Sequence, residues 1–152
     1  MKTKFIRAYA KIAEEIASLS HSKKLKVGAI IVKDNRILSM GYNGMPAGWD
    51  NVCEAPNYEE GEFEPVITYK TRDEVLHAES NALMKVAAST ESSEGAVMFC
   101  THTPCIECAK LIHQAGIAEV YIGRSYVASK GTGADFLEQC KIPVYNLVDF
   151  SD

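Results

Sequence analysis

His77-Ala78-Glu79-Ser80-Asn81-Ala82-Leu83 and, one strand later, Thr103-Pro104-Cys105-Ile106-Glu107-Cys108-Ala109-Lys110 are the two stretches on which the fold turns. Each opens a helix. The first belongs to a helical periodicity running from about residue 73 to residue 89. In the second, Pro104 suits a helix entry, and the pattern through 105–115 stops at Gly116, a residue suited to ending a helix. The apolar run 95–101 between them reads as a strand, and 119–122 as another.

The same alternation extends outward in both directions. Phe5, Ile6, Tyr9, Ile12, Ala13, Ile16 and Leu19 recur at helical spacing and predict an amphipathic helix over 3–20. Residues 26–33 are β-branched and apolar and predict a buried strand. Asp34-Asn35 is a tight turn, from which 36–42 returns as a second strand. Beyond residue 122, a helix over 133–140 and a strand over 142–147 complete the order α-β-β-α-β-α-β-α-β. Strands alternating with helices place a sheet between helical layers, and the first hairpin makes that sheet mixed. Residues 43–74 carry Gly44, Pro46, Gly48, Pro56, Gly61 and Pro65, with Glu59, Glu60, Glu62 and Glu64. They read as one long irregular segment, either a flap over a site or a solvated excursion. No internal repeat or domain boundary is visible, so 1–152 is expected to be one domain.

Bulk composition narrows the function. The 152 residues are 47% hydrophobic and 24% charged, an ordinary globular balance. No apolar run approaches the ~20 residues of a membrane helix. The start, Met1-Lys2-Thr3-Lys4-Phe5, lacks the apolar core of a secretory signal, so a cytoplasmic protein is expected. The net charge of −4 argues against gripping long nucleic acid by its phosphates. The five cysteines are odd in number, which speaks against a disulfide framework. Cys100 lies in an apolar run and Cys140 near the end of the helix over 133–140, and both read as small buried hydrophobes.

Cys105 and Cys108 are different. Three apart at a helix start, they share one face, and the helix N-terminus favours their ionisation. A lone C-x-x-C pair could be a redox pair, and a lone His77 could be an ordinary helix-cap residue. Together, two thiolates and an imidazole suit zinc, and three protein ligands leave a fourth tetrahedral position for water. A carboxyl such as Glu79 beside that water could take its proton. Residues two apart on a regular helix face opposite sides, so spacing does not show that Glu79 points at the metal.

The combination H-x-E, a strand, then P-C-x-x-C resembles the signature of zinc-dependent nucleobase deaminases. The likeness then sharpens. His77-Ala78-Glu79-Ser80-Asn81-Ala82-Leu83 resembles the H-A-E-x-N-A-(I/L) segment of the deoxycytidylate (dCMP) deaminases. Val27 to Val32 resembles their first strand, and Gly41-Tyr42-Asn43-Gly44-Met45-Pro46 their G-Y-N-G-x-P segment. Ala109-Lys110 and Gln114-Ala115-Gly116-Ile117 continue it. The match covers 22–122 and is weak over the last thirty or so residues.

The resemblance implies an α/β fold, the cytidine-deaminase-like three-layer α/β/α arrangement with a five-stranded mixed sheet. It implies that His77, Cys105 and Cys108 hold one catalytic Zn2+ per chain, that Glu79 shuttles protons, and that Asn43 contacts the deoxyribose. The expected reaction is hydrolytic deamination of dCMP to dUMP, with activation by dCTP and inhibition by dTTP with Mg2+. A homo-oligomer, commonly a hexamer, is expected. Ala78 and Thr103 are further substrate-binding candidates. Lys24, Lys26, Arg124 and Tyr126 are phosphate candidates beside matched segments, although Lys24 and Lys26 could instead form a solvated patch with Lys23. Tyr42, Gly44, Met45 and Pro46 are candidates for an effector site; the alternative is that Gly44 and Pro46 merely shape a turn. Some relatives bind a second zinc. Here Ser22 stands where a cysteine is usual, and only Cys53 and His21 remain as candidates, so no second zinc is expected. Two competing functions share these motifs: a deaminase of cytosine or adenine in tRNA or DNA, and a non-catalytic zinc-stabilised nucleotide-binding regulator.

Overall fold

A computed structural model describes residues 1–124 and 132–151. Its elements, in chain order, are α1 (Thr3–Ala17), β1 (Gly28–Lys33), β2 (Arg36–Tyr42), β3 (Glu54–Glu59), β4 (Val66–Thr71), α2 (Ala78–Ala87), β5 (Val97–His102), α3 (Ile106–Gln114), β6 (Glu119–Arg124), α4 (Ala134–Gln139), β7 (Val144–Asn146) and a closing 3-10 turn (Leu147–Phe150). Five strands form one sheet in the order β2-β1-β5-β6-β7. β1 runs antiparallel to both β2 and β5, while β5, β6 and β7 are parallel. The expected mixed five-stranded sheet is therefore present. Asp34 and Asn35 both take positive φ, 51° and 59°, which suits the tight hairpin turn between β1 and β2.

The strand alternation sorts the core into two layers. Ile30, Val32, Phe99 and Tyr121 point toward α1, where they meet Ile6, Tyr9 and Ala13. Ala29, Ile31, Met98 and Cys100 point the other way, against Ala78, Ala82 and Leu83 of α2 and Ala109 and Ile112 of α3. Cys100 is a fully buried core residue, as expected, and Cys140 packs half-buried at the edge of the same cluster.

Three departures from the sequence expectation have a tertiary reason. The strand expected over 26–33 begins only at Gly28, because the Asn43 side chain takes up the backbone of the residues before it. Its Oδ1 accepts from the Val27 N–H and its Nδ2 donates to the Leu25 carbonyl, both at 2.8 Å. The helix expected from residue 73 begins at Ala78, because Leu76 is bridged to Gly44 by two backbone hydrogen bonds and must be extended. The segment 43–74 is not wholly irregular. β3 and β4 pair as a separate two-stranded arm from Glu54↔Thr71 to Glu59↔Val66. Proline and glutamate are poor strand formers, and the cross-strand pairing that overrides this is invisible in a local reading.

Close packing sets the height of α2 above the sheet. Gly41 lies under its first turns: an added Cβ would fall inside the Ala78 carbonyl oxygen and within 2.7 Å of the Ala82 nitrogen. Beside it, the Ser39 hydroxyl donates to the Ala82 carbonyl at 2.8 Å. Asn81 Nδ2 and Lys85 Nζ reach back to the carbonyls of Tyr42 and Met40 along β2. The methyl group of Gly41→Ala would meet helix backbone, which cannot swing aside as a side chain can. The substitution should cost about 1–3 kcal/mol. Because α2 must lift, bound metal should fall with it. Thermal melts and elemental analysis of the purified variant check both; a variant with unchanged melting temperature and metal would refute this account of α2.

Candidate active site

Two helix starts meet here. His77 is the N-cap of α2 and Cys105 the N-cap of α3, both with extended backbone (ψ 151° and 167°), and Cys108 sits in the first turn of α3. Neither residue makes a side-chain capping bond at its helix start, and the His77 ring reaches across to the thiols of α3. The ligand atoms of His77, Cys105 and Cys108 all lie within 4.8 Å of one another. His77 Nδ1 is 3.6 Å from Cys105 Sγ and 3.4 Å from Cys108 Sγ. A tetrahedral zinc with ordinary Zn–N and Zn–S lengths separates such atoms by about 3.6 Å. The donor set and its spacing therefore fit zinc, and three protein ligands leave one position open.

The thiols also hydrogen-bond each other, which drives their acidities apart. Cys105 is held well below an ordinary thiol, chiefly by its bond from Cys108. Cys108 is pushed up by that same bond, by burial and by the charge of Glu79. Beneath them lies Glu79, in the first turn of α2 and almost wholly buried. Its charge acts on Cys108, and the Cys105 and His77 charges act on it, so the carboxyl lies beside the three ligand candidates, a placement residue spacing had left open. Burial raises its pKa, partly opposed by its own backbone N–H and the nearby imidazole. Below Glu79, the Cys100 thiol is held high by burial and by the Glu79 charge.

The remaining candidates fall into groups. Thr103 and Arg124 are brought together: the Thr103 N–H and hydroxyl both donate to the Arg124 carbonyl, at 3.0 and 3.3 Å. The Arg124 guanidinium lies 3.8 Å from Glu14. Tyr126 falls outside the described residues. Ala78 is fully buried, with its methyl in the core, so only its backbone could meet a ligand. Lys24 and Lys26 are exposed on the 20–27 loop. Asn43 clamps that loop through the bonds described above, and the Ser20 hydroxyl adds a bond to its carbonyl. Tyr42 is exposed at the end of β2, and Gly44, Met45 and Pro46 are half-buried. Gly44 is not in the left-handed region, and an added side chain would meet only the Tyr42 ring, at 4.0 Å. Its backbone bridge to Leu76, the neighbour of His77, is the feature that distinguishes it.

Sequence reasoning missed Glu54. From the root of the β3–β4 arm, its Oε1 accepts from the Ser22 hydroxyl at 2.8 Å and from the N–H groups of Lys23 and Lys24 at 2.9 and 3.1 Å. Ser22, the candidate position for a second metal, thus carries a hydroxyl bonded to a buried carboxylate. The thiol of neighbouring Cys53 is buried and raised by desolvation and by that carboxylate, and His21 is exposed. A glutamate in a Gly- and Pro-rich stretch gives no signal of this; only a partner search through the folded chain finds it.

The profile of the cytidine and deoxycytidylate deaminase zinc-binding region matches residues 3–124. The chain belongs to that family, a family of hydrolytic deaminases. Among individual proteins, it resembles the dCMP deaminase of cyanophage S-TIM5, solved in complex with dCMP and dUMP. The two share 42% identity at a TM-score of 0.82, over 96% of this chain and 98% of that one. Deoxycytidylate deaminase of Enterobacteria phage T4 is 31% identical over 166 residues, 90% of this chain and 86% of the relative. The Homo sapiens deoxycytidylate deaminase is 41% identical over 106 residues, 68% of this chain and 56% of the relative.

Glu54 makes a stability prediction with a definite sign. Burial pushes its pKa up, but the bonds from Lys24, Ser22 and Lys23 outweigh this and leave it below the ordinary value of 4.5. Folding therefore favours the ionised form. Its contribution is full above pH 4.5 and drains away as pH falls through the lower folded pKa. Wild type should exceed Glu54→Gln by about 1–2 kcal/mol at neutral pH. That advantage should shrink below about pH 4.5. Chemical denaturation of both proteins across this range gives the difference; an advantage that grew on acidification would have the wrong sign for this assignment.

Proposed function

We propose that the chain, acting as one domain, catalyses hydrolytic deamination of dCMP to dUMP and ammonia. The observation that carries this reading is the buried Glu79 carboxyl beside Cys108, within a His77–Cys105–Cys108 triad of zinc-like spacing. Likeness to the phage enzyme solved with dCMP and dUMP supports the choice of substrate.

His77 Nδ1 and the Cys105 and Cys108 thiolates would hold the zinc. When bound, it supplies a Lewis acid that makes a water nucleophilic near neutral pH. Glu79 takes the proton from the attacking water as its oxygen adds to C4 of cytosine, and gives that proton to N3. It then takes the remaining proton from the new C4 hydroxyl and passes it to the departing amine; the C4–N4 bond breaks, ammonia leaves, and the C4 carbonyl of dUMP forms. The same carboxyl can serve both steps because it is buried, with bulk water kept from its proton. Asn43 is the candidate for the deoxyribose. By hydrogen-bond count, one Nδ2 hydrogen and one Oδ1 lone pair remain beyond its loop contacts. The Ala78 backbone and Thr103 are candidates at the base. Lys24, Lys26 and Arg124, with Tyr126, are candidates at the phosphate, whose single group needs only a few donors.

The finer reading includes a cytoplasmic homo-hexamer supplying dUMP for thymidylate synthesis, activated by dCTP and inhibited by dTTP with Mg2+. It rests on the likeness of Gly41 to Pro46 to regulated relatives. The Gly44–Leu76 bridge supports it by tying that segment to the residue before His77. No helix among the described residues is long and apolar enough to cross a membrane.

Purified protein should carry about one zinc per chain and release ammonia from free dCMP, but not from cytosine- or adenine-containing oligonucleotides. Glu79→Gln should keep the zinc and lose about 10²–10⁴-fold or more in kcat. Cys108→Ser should lose the metal itself. Near-normal turnover by Glu79→Gln would overturn its role. Oligonucleotide turnover would redirect the substrate, and dCTP binding without ammonia release would point to a regulator.

The regulatory part is read from a dCMP saturation curve. It should be sigmoidal alone, hyperbolic with dCTP, and suppressed by dTTP with Mg2+, because each effector shifts the population it binds better. A curve unmoved by both triphosphates would remove the effector site at Tyr42, Gly44, Met45 and Pro46 and leave the deaminase.

A further inference from the structure

The β3–β4 arm has an apolar face that its own molecule leaves uncovered. Directly opposed residues share a face, so Pro56↔Tyr69 and Tyr58↔Ile67 lie on one side, while Ala55↔Lys70 and Asn57↔Thr68 lie on the other. The second side is internally satisfied, with Asn57 Nδ2 bonded to Glu59 and Thr68. The first side is open. Tyr58 is 70% exposed, Ile67 53% and Tyr69 59%, and Phe63 at the tip is 92% exposed. Among the described residues the two strands pack on each other, and on no other helix or strand to a comparable extent. A lone two-stranded hairpin is marginal in water, and large aromatic side chains grouped on one exposed face mark a contact surface. The arm is nonetheless firmly rooted, by Glu54 at one strand's start and by the Arg72–Asp50 ion pair at 2.9 Å beyond the other.

We infer that this arm is a subunit contact: it seats its apolar face on a second copy of the chain, with its acidic tip against the start of that copy's α1. Charge chooses the partner. The tip holds Glu59, Glu60, Glu62 and Glu64 within six residues, all exposed. The exposed side of α1 begins with Lys4 and Lys11, and exposed Lys2 precedes it. Two copies of a chain with net charge −4 repel in a random encounter. Setting the tip on this basic stretch turns the repulsion into local attraction and fixes the register. Met40, exposed, stands on the α1 side of the sheet, opposite the side where Ser39 and Gly41 meet α2, and offers apolar surface nearby. The contact can be made reciprocally about a two-fold axis or head-to-tail around a ring. The inference rests on the homo-oligomer in the proposed function and names the surface that makes it.

Light scattering on a size-exclusion column gives the mass. Wild type should run at a multiple of the single-chain mass; a monomer at micromolar concentration would overturn the assembly reading itself. The triple variant Y58S/I67S/Y69S changes only exposed side chains. It should fall to the single-chain mass with zinc and circular dichroism intact. Retention of the wild-type mass would overturn the arm while leaving assembly standing. E60K/E62K should also lower the mass, and adding K4E/K11E should restore it; failure to restore would remove α1 as the seat. Zero-length carbodiimide coupling between isotopically labelled and unlabelled wild-type copies needs no variant. It should join the 59–64 peptide to the Lys4 or Lys11 peptide across copies. Cross-links confined within one copy would refute the contact even if the variants failed to fold.

Discussion

The approach of α2 to β2 is the contact on which the site depends. Gly41 lets the helix backbone rest directly on the strand, and Ser39 pins it by the Ala82 carbonyl. His77 and Glu79 stand at the start of that helix. Their reach toward Cys105 and Cys108 is therefore set by the missing side chain of a strand residue remote from the chemistry. Gly133 plays a similar part beyond the metal ligands: its absent side chain would collide with Ala109 and with the carbonyls of Pro104 and Cys105. Backbone-to-backbone packing of this kind holds the donors to tenths of an ångström, which a zinc site requires and flexible side chains would not supply.

The site joins two charge environments. Thiolates holding a metal would need stabilised negative charge, and two helix N-termini supply partial positive charge beside them. Glu79 is different: it lies among buried apolar atoms, Cys100 included, which favour its protonated form. A carboxyl so placed is a better proton acceptor than a surface glutamate.

The stretch before β1 is ordered by side chains rather than by secondary structure. Asn43 acts as a strand partner for Leu25 and Val27, and the Glu54 carboxylate gathers Ser22, Lys23 and Lys24. The exposed lysines of this loop thus have fixed backbones at their roots. Since Glu54 begins β3, the loop and the arm share one anchor, and strain on the arm would be felt where Lys24 is held.

Local pattern alone determined much of this protein. Period and punctuation placed α1, the β1–β2 turn at Asp34-Asn35 and the end of α3 at Gly116, because those features depend on neighbours within a few residues. The spacing of His77, Glu79, Cys105 and Cys108 named the zinc chemistry, because helix starts and ligand types are written in residue identity. Only the tertiary structure decided that Glu79 lies beside Cys108, that Leu76 is extended by Gly44, and that Glu54 holds Ser22. It also revealed paired strands in a segment rich in proline, glycine and glutamate. Each of these is a contact between residues far apart in the chain or a rotation about a helix start. Local periodicity carries no information about either, because the free energy that selects them comes from partners the sequence does not place nearby.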